Sequence, residues 1–338
     1  MLQIDGSIGE GGGQVLRSSL SLSMTTGLAF RIRGIRAGRR KPGLMRQHLT
    51  CVLAAKEVTS AKVTGAEIGS TELTFIPDAI RGGDYSFSIG TAGSVTLVLQ
   101  TLLPALLIAG EPSNLDLKGG THNPMAPCFE FLDRCFLPEL AKMGGKVSMQ
   151  LLSHGFFPAG GGHIKAAIQP VDGWKEISLM DSADIDRRKG LVLLSHLEKS
   201  IGSRQVRMLK NKLNWPESCF EIRNVRPALG PGNAVVLEVE RGGHTEVFTG
   251  FGERNISSGK LIDGLIQEVR DYLCSDAPVG EYLADQLMLP LAISGKGKFR
   301  AVKESLHTRT NLQVIDQFLP GYLNIHSMED GSICVSAE

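Results

Sequence analysis

Three familiar signatures are missing from this chain of 338 residues: a CxxC cysteine pair, an HExxH-type histidine pair, and a glycine-rich loop ending in GK[ST]. Without the first two, a zinc enzyme is not expected. Without the third there is no P-loop, and GxGxxG is not cleanly matched in the glycine-rich N-terminal stretch. Charge of one sign is also missing. The net charge is +1, so no strong field draws in a polyanion, and any nucleic-acid contact must be a local patch. Long apolar runs are scarce too. The longest, Val95 to Ala109, is interrupted by Gln100, Thr101 and Pro104, too short for a membrane span and better read as a buried helix. No signal peptide is seen at the N-terminus, so the six cysteines are expected to be reduced thiols in a cytoplasmic protein.

The chain does have glycine, forty residues of it, clustered at 9–13, 119–120, 160–162 and 242–243. Clusters of this kind suggest tight turns or backbone lying close against a ligand. A hydrophobic content of 42% and a charged content of 21% are those of a globular protein, long enough for two domains.

Self-similarity organises the rest. The stretches beginning SLSLSMTTGLAF and LLPALLIAGEPS share a plan of apolar helix, glycine, short strand, glycine turn and second helix. Gly27 and Gly110 mark corresponding helix ends, and the same offset carries Arg17 onto Gln100 and Gly38 onto Thr121. A further offset of 186 carries Gln100 and Pro104 onto Gln286 and Pro290, and Thr121 onto His307. The larger offset implies an insertion, and a more charged stretch over 182–275 supplies it. Helices are expected there at Arg187 to Gly202 and Ser257 to Leu273, with a strand at Ala234 to Glu240. The expected fold is α+β: three repeated units, each with two helices on a small mixed sheet, form a large domain (1–181 and 276–338), and a smaller α+β domain (182–275) interrupts the third unit. Gly38, Thr121 and His307 then fall in equivalent turns before second helices, where free N–H groups favour anions.

Several residues stand out against that plan. Glu10, Gln14 and Arg17 follow at helical spacing beside the glycine run, able to hold a metal ion and a phosphate, although a simple turn with a helix start explains them as well. The segment FRIRGIRAGRRKPGLMRQH is cationic without a single acid. Arg31 and Arg33 suit a solvated strand face, whereas Arg36 and Arg39, in a turn, suit a phosphate clamp. Gln100 is a lone amide in an apolar helix and must find a polar partner, either a backbone carbonyl or a nucleobase edge. Tyr282, Asp285 and Gln286 share the start of a helix and suit a purine and its ribose, or simply an amphipathic start. His307, in SLHTRTN, competes with His122 of GGTHNPMAP as the chemically active histidine, while His154 and His163 flank the GFFPAGGG turn and read as structural.

Taken together and in order, DGSIGEGGGQVLRSSLSLS, IRAGRRKPGLMRQHL, GGDYSFSIGTAGSVTLVLQTLLPAL, GGTHNPMAP, HGFFPAGGG, GPGN, VGEYLADQLMLP and HTRTN resemble the RNA 3′-terminal phosphate cyclase family over the whole chain. The family is also similar in its repeats to the enolpyruvyl transferases. The resemblance implies three such repeats plus an insert, and an ATP-dependent reaction in three steps. A histidine takes AMP from ATP, AMP passes to an RNA 3′-phosphate, and the neighbouring 2′-hydroxyl closes a 2′,3′-cyclic phosphate and expels AMP. By motif match the nucleophile is His307. Gln100 and the segment Tyr282, Leu283, Ala284, Asp285 and Gln286 match ATP-binding positions. Glu10 matches a metal position for Mg2+ or Mn2+, and Arg17, Arg36, Arg39 and Gln47 match phosphate and RNA-end contacts. The partners implied are ATP and RNA 3′-phosphate ends, with no membrane. The oligomeric state is left open, a homodimer included. A cyclase-like ribosome-assembly factor without catalysis is the alternative. Those relatives lack the nucleophile, whereas His307 is present here.

Overall fold

A computed structural model describes residues 1–254 and 256–337. The chain opens with β1 (Leu2–Asp5), α1 (Gln14–Thr26), β2 (Phe30–Arg33), α2 (Arg46–Thr59), β3 (Lys62–Thr64) and β4 (Glu72–Ile76). In β2 the alternation is plain: Phe30 and Ile32 are fully buried, while Arg31 and Arg33 point outward to Glu72. Next come β5 (Gly83–Ser88), α3 (Val95–Leu107), β6 (Ser113–Gly119), α4 (Phe129–Phe131), a π-helical turn (Leu132–Phe136), α5 (Leu137–Lys142), β7 (Lys146–Ser153) and β8 (Gly162–Gln169). The strand β9 (Ser178–Leu179) is followed by β10 (Ile185–Ser195), α6 (Lys199–Leu213), β11 (Phe220–Asn224), β12 (Gly232–Arg241), β13 (His244–Phe251) and α7 (Ser258–Leu273). The chain closes with α8 (Glu281–Ser294), β14 (Lys298–Ala301), α9 (Leu306–Phe318), β15 (Leu323–Ser327) and β16 (Ile333–Ala337).

The fold is α+β. Three of its four-stranded sheets have one pairing scheme: orders β1-β2-β4-β3, β5-β6-β8-β7 and β9-β14-β16-β15, each with one parallel pair followed by two antiparallel pairs. Helices α1, α2, α3, α8 and α9 pack on one another in the main core.

The correspondence between α3 and α8 runs residue by residue. Ser94 and Gly280 are the N-caps, Gln100 and Gln286 each sit sixth in their helix, and Pro104 and Pro290 each sit tenth. Arg17 is the fourth residue of α1, so its helical position differs from that of the two glutamines. Gly27 does cap α1 in the left-handed region, but α3 is capped by Ile108 and Gly110 lies beyond it.

The fourth sheet, β11-β10-β12-β13, carries α6 and α7 on one face. Its alternate residues serve two cores. Val192 and Leu194 face Leu209, Ile262 and Ile266, whereas Leu191 and Leu193 join the main core. This double burial corrects the helix expected over 187–202. A strand covered on both faces reads as a continuous apolar run, with no period to separate it from a buried helix. The helix begins only at Lys199. Ser257, in contrast, caps α7 where expected, its Oγ accepting the Lys260 N–H.

Candidate active site

The glycine run 9–13 joins β1 to α1 by squeezing between three other segments. A Cβ on Gly11, whose φ is 54°, would lie 2.6 Å from the Gly38 nitrogen, and one on Gly13 would collide with Nε2 of His48 and lie 2.8 Å from Nη1 of Arg17. Only bare backbone lets the loop, the cationic segment and the start of α2 approach so closely. Glu10 rides on this loop and pairs with Arg39, 2.7 Å from Glu10 Oε2 to Arg39 Nη2.

His307 faces the same carboxylate from α9. It is the second residue of that helix, not part of a preceding turn, while Gly38 and Thr121 do lie in loops well ahead of α2 and α4. The three positions are therefore not equivalent. Ser305 caps α9 through the Thr308 N–H, which fixes the first turn and with it the imidazole. Nε2 lies 3.0 Å from Glu10 Oε1, and Nδ1 lies 2.9 Å from Gln14 Oε1. The side chain stays 40% exposed.

The amide of Gln14 decides the imidazole tautomer. Its Nε2 donates to Asp285 Oδ1 at 2.6 Å and to the His307 carbonyl at 3.2 Å, which leaves Oε1 only an acceptor's role. Nδ1 of His307 must then carry hydrogen, which leaves Nε2, once parted from Glu10, as the nitrogen able to present a lone pair. Asp285 is fixed in turn by the Asn311 amide at 2.8 Å, and Asn311 accepts from Ser18 Oγ at 2.6 Å. Burial pushes the Asp285 carboxyl above its usual range, against the pull of His307 and Arg17.

Arg17 projects from α1 toward Asp285, and among the described residues it forms no ion pair. Burial lowers its pKa. Behind it, His48 is held down to about 3 by burial and by Arg17, Arg36 and Arg39, so it stays neutral, and its buried Nδ1 has no hydrogen-bond partner among the described residues. Gln14, Arg17, Gln100, Asp285 and Gln286 line one cleft between α1, α3 and α8. Gln100 donates to Gln286 Oε1, so its partner is neither of those expected but a second amide.

Other positions fall elsewhere. Arg36 gives Nη1 to the carbonyls of Lys41 and Gly43, at 2.7 and 2.8 Å, and so closes its own loop. Gln47 accepts the Ser94 N–H at 2.7 Å and ties α2 to the start of α3. Tyr282 is half exposed, and burial of its ring, aided by Glu268 and Glu281, pushes its phenol up to about 12. Leu283 and Ala284 are core residues, so only Asp285 and Gln286 of that segment reach the cleft. His122 is buried against Glu130, apart from the Glu10–His307 group. Asn311 and Ser18 were not foreseen as part of the site. Asn311 stands four residues after His307, one helical turn along the same face, and that spacing was its signal. His48 left none.

A half-open imidazole, a carboxylate and an unpaired guanidinium, gathered where helices of an α+β protein converge, make a site for an enzyme acting on anions. The sequence model of RNA 3′-terminal phosphate cyclase matches residues 8–325. Proteins called RNA 3′-terminal phosphate cyclase from Koribacter versatilis and Pseudomonas fluorescens are each 48% identical, over 98% and 95% of this chain and 93% of their own lengths. That from Ralstonia nicotianae is 47% identical over 98% of this chain and 95% of its own. Among solved structures, the enolpyruvyl transferase NikO from Streptomyces tendae overlaps half of this chain and 33% of its own, with 16% identity and a TM-score of 0.29. The chain belongs to the RNA 3′-terminal phosphate cyclase family, and it is an enzyme.

Proposed function

We propose that this protein uses ATP to convert an RNA 3′-terminal phosphate into a 2′,3′-cyclic phosphate, with His307 carrying AMP between the two substrates. The observation that carries the reading is the wiring of His307. Gln14 and Asp285 hold the Nδ1 proton in place, so Nε2, now facing Glu10, is the nitrogen left to act as nucleophile. Attack of Nε2 on the α-phosphorus forms a P–N bond and breaks the bond to the β-phosphate oxygen, releasing pyrophosphate. The ring becomes a phosphorylated imidazolium, stabilised by the Gln14 oxygen that accepts its Nδ1 hydrogen and by the Asp285 carboxylate beyond that amide. An oxygen of the RNA 3′-phosphate then displaces the imidazole from the phosphorus, and the 2′-hydroxyl displaces AMP from the activated 3′-phosphate.

The remaining residues take roles that fit their surroundings. Gln100, Asp285 and Gln286 line the nucleotide cleft, with the segment from Tyr282 at its edge. Arg17, without a carboxylate partner among the described residues, and Arg39 meet phosphate oxygens. Arg36 and Gln47 act by shaping the loop and the helix start beside them. Glu10 must release Nε2 before the attack. Its carboxylate is partly open, and a hard divalent cation is commonly held by one protein carboxylate together with substrate phosphates. Glu10 therefore fits the position for Mg2+ or Mn2+, which would neutralise charge on the phosphate oxygens. The six unpaired cysteines suit a cytoplasmic setting, and among the described residues no helix is long and apolar enough to cross a membrane. We read 1–181 and 276–338 as one three-repeat domain and 182–275 as the domain inserted in it.

The test is chemical. Protein incubated with ATP labelled at the α-phosphate should retain label that acid removes and alkali does not, as a phosphoramidate requires. His307→Asn should abolish it and His122→Asn should not. Persistent label in His307→Asn would reject the assignment.

A further inference from the structure

His122, Glu130 and His154 come from three separate segments: the loop after β6, the middle of α4 and the loop leaving β7. Each offers one donor atom, and the three atoms lie within 4.8 Å of one another. The side chains of His122 and Glu130 are 0% and 4% exposed, with 2.8 Å between Nε2 and Oε2. The His154 ring stacks on His122 with centroids 5.2 Å apart. His122 Nδ1 lies 2.8 Å from Thr121 Oγ1, which also accepts the Gly155 N–H at 2.9 Å, so the ring is oriented from behind. An imidazole–carboxylate hydrogen bond accounts for two of these three groups. It does not account for His154, whose ring nitrogens have no hydrogen-bond partner among the described residues although the ring is held beside that pair.

We propose that His122, Glu130 and His154 form a binding site for a divalent transition-metal ion of the Zn2+ class, separate from the position at Glu10. Two imidazoles and one carboxylate are a donor set for Zn2+ or Fe2+ rather than for Mg2+, which prefers oxygen. Binding is an exchange. The Nε2 proton shared with Glu130 leaves to solvent, and the lone pair it covered goes to the ion. The hydroxyl of Thr121 then serves as the outer partner that keeps the His122 ring aimed. Spacing rules miss such a site because its donors at 122, 130 and 154 meet only through the fold. Its place gives it a task. The backbone N–H of His154 donates to the Pro227 carbonyl, so the ion would tie the loop after β6 and α4 to the segment joining β11 and β12.

The test uses the untagged full chain, stripped with chelator and titrated with Co2+, whose visible d–d absorption reports nitrogen and oxygen ligation. We expect one Co2+ per chain with an absorption that Zn2+ displaces and excess Mg2+ does not. We also expect a rise in Tm with Zn2+. Both should survive in Glu10→Gln and vanish in His154→Ala, whose circular dichroism should match the parent. No Co2+ absorption in the parent protein, or equal absorption in His154→Ala, would overturn the proposal. The readout is spectroscopic and needs no turnover, so its failure is distinct from failure of the cyclase reading.

Discussion

Gln14 is a positioning residue whose weight follows from hydrogen-bond arithmetic. With Nε2 committed to Asp285 and the His307 carbonyl, its oxygen has only the Nδ1 proton to accept. Gln14→Leu should leave Asp285 one donor short and let the ring of His307 turn, slowing adenylate formation by on the order of 10²-fold in a single-turnover measurement. Undiminished labelling by Gln14→Leu would show that the ring needs no such anchor. The arginines separate just as sharply. Arg39 pairs with Glu10 inside the site, whereas Arg33 is 60% exposed and only 3.6 Å from Glu72. Arg39→Ala should reduce cyclisation at least tenfold, and Arg33→Ala should change it by less than twofold, since exposed pairs contribute little. Equal losses in the two would make the segment no more than a charged face.

At the scale of elements, the helices that form the cleft were legible and one strand was not. The offset of 186 between Gln100 and Gln286 joins two sixth positions whose amides meet, because α3 and α8 keep cap, glutamine and proline in register. The offset that reached Arg17 did not keep register along α1, yet Arg17 lines the same cleft. In β10, burial on both faces erases the alternation that identifies a strand, so its sequence reads equally as a buried helix. In the candidate site, His307, Glu10 and Asp285 are named by motif, but Gln14's bond to two of them is a contact across more than 270 positions that no local pattern encodes. The glycine run offers an element-level test. Gly13→Ala should drive the start of α1 off His48 and Arg17 and abolish labelling with ATP. Gly27→Ala meets nothing within 4 Å and should cost about 1–2 kcal/mol for its left-handed backbone while labelling persists. Loss of labelling in both would mean that stability, not the close approach at Gly13, limits the site.

The whole molecule is held at neutral pH by histidines shifted in opposite directions. His244, on β13, bonds Glu139 of α5 through Nδ1 at 2.9 Å and Glu246 through Nε2 at 3.2 Å, and Glu246 also accepts the Gly280 N–H that precedes α8. Burial works against its charge, but the bonds to Glu139 and Glu246 win and raise it to about 9 from an ordinary 6.5. A raised histidine pKa means the folded state holds the proton more tightly. Its contribution is complete below pH 6.5 and drains away as pH rises toward 9. His48 and His154 behave oppositely. Burial, aided by the arginines around His48 and by His122 beside His154, holds them to about 3 and about 4. Their neutral forms contribute fully above pH 6.5, and the unfolded chain gains protons preferentially as pH falls from there toward 4 for His154 and toward 3 for His48. Stability should therefore peak near neutrality and decline on both sides. Since Glu139 and Glu246 lie in separate segments, the alkaline decline reports the junction between the fourth sheet and the main core. In His244→Asn the denaturation midpoint should be lower at pH 6.5, and it should fall less between pH 6.5 and 9 than in the parent. His48→Asn should leave that alkaline limb intact and flatten the acid limb. Parallel parent and His244→Asn curves from pH 6.5 to 9 would place the alkaline sensitivity in another group.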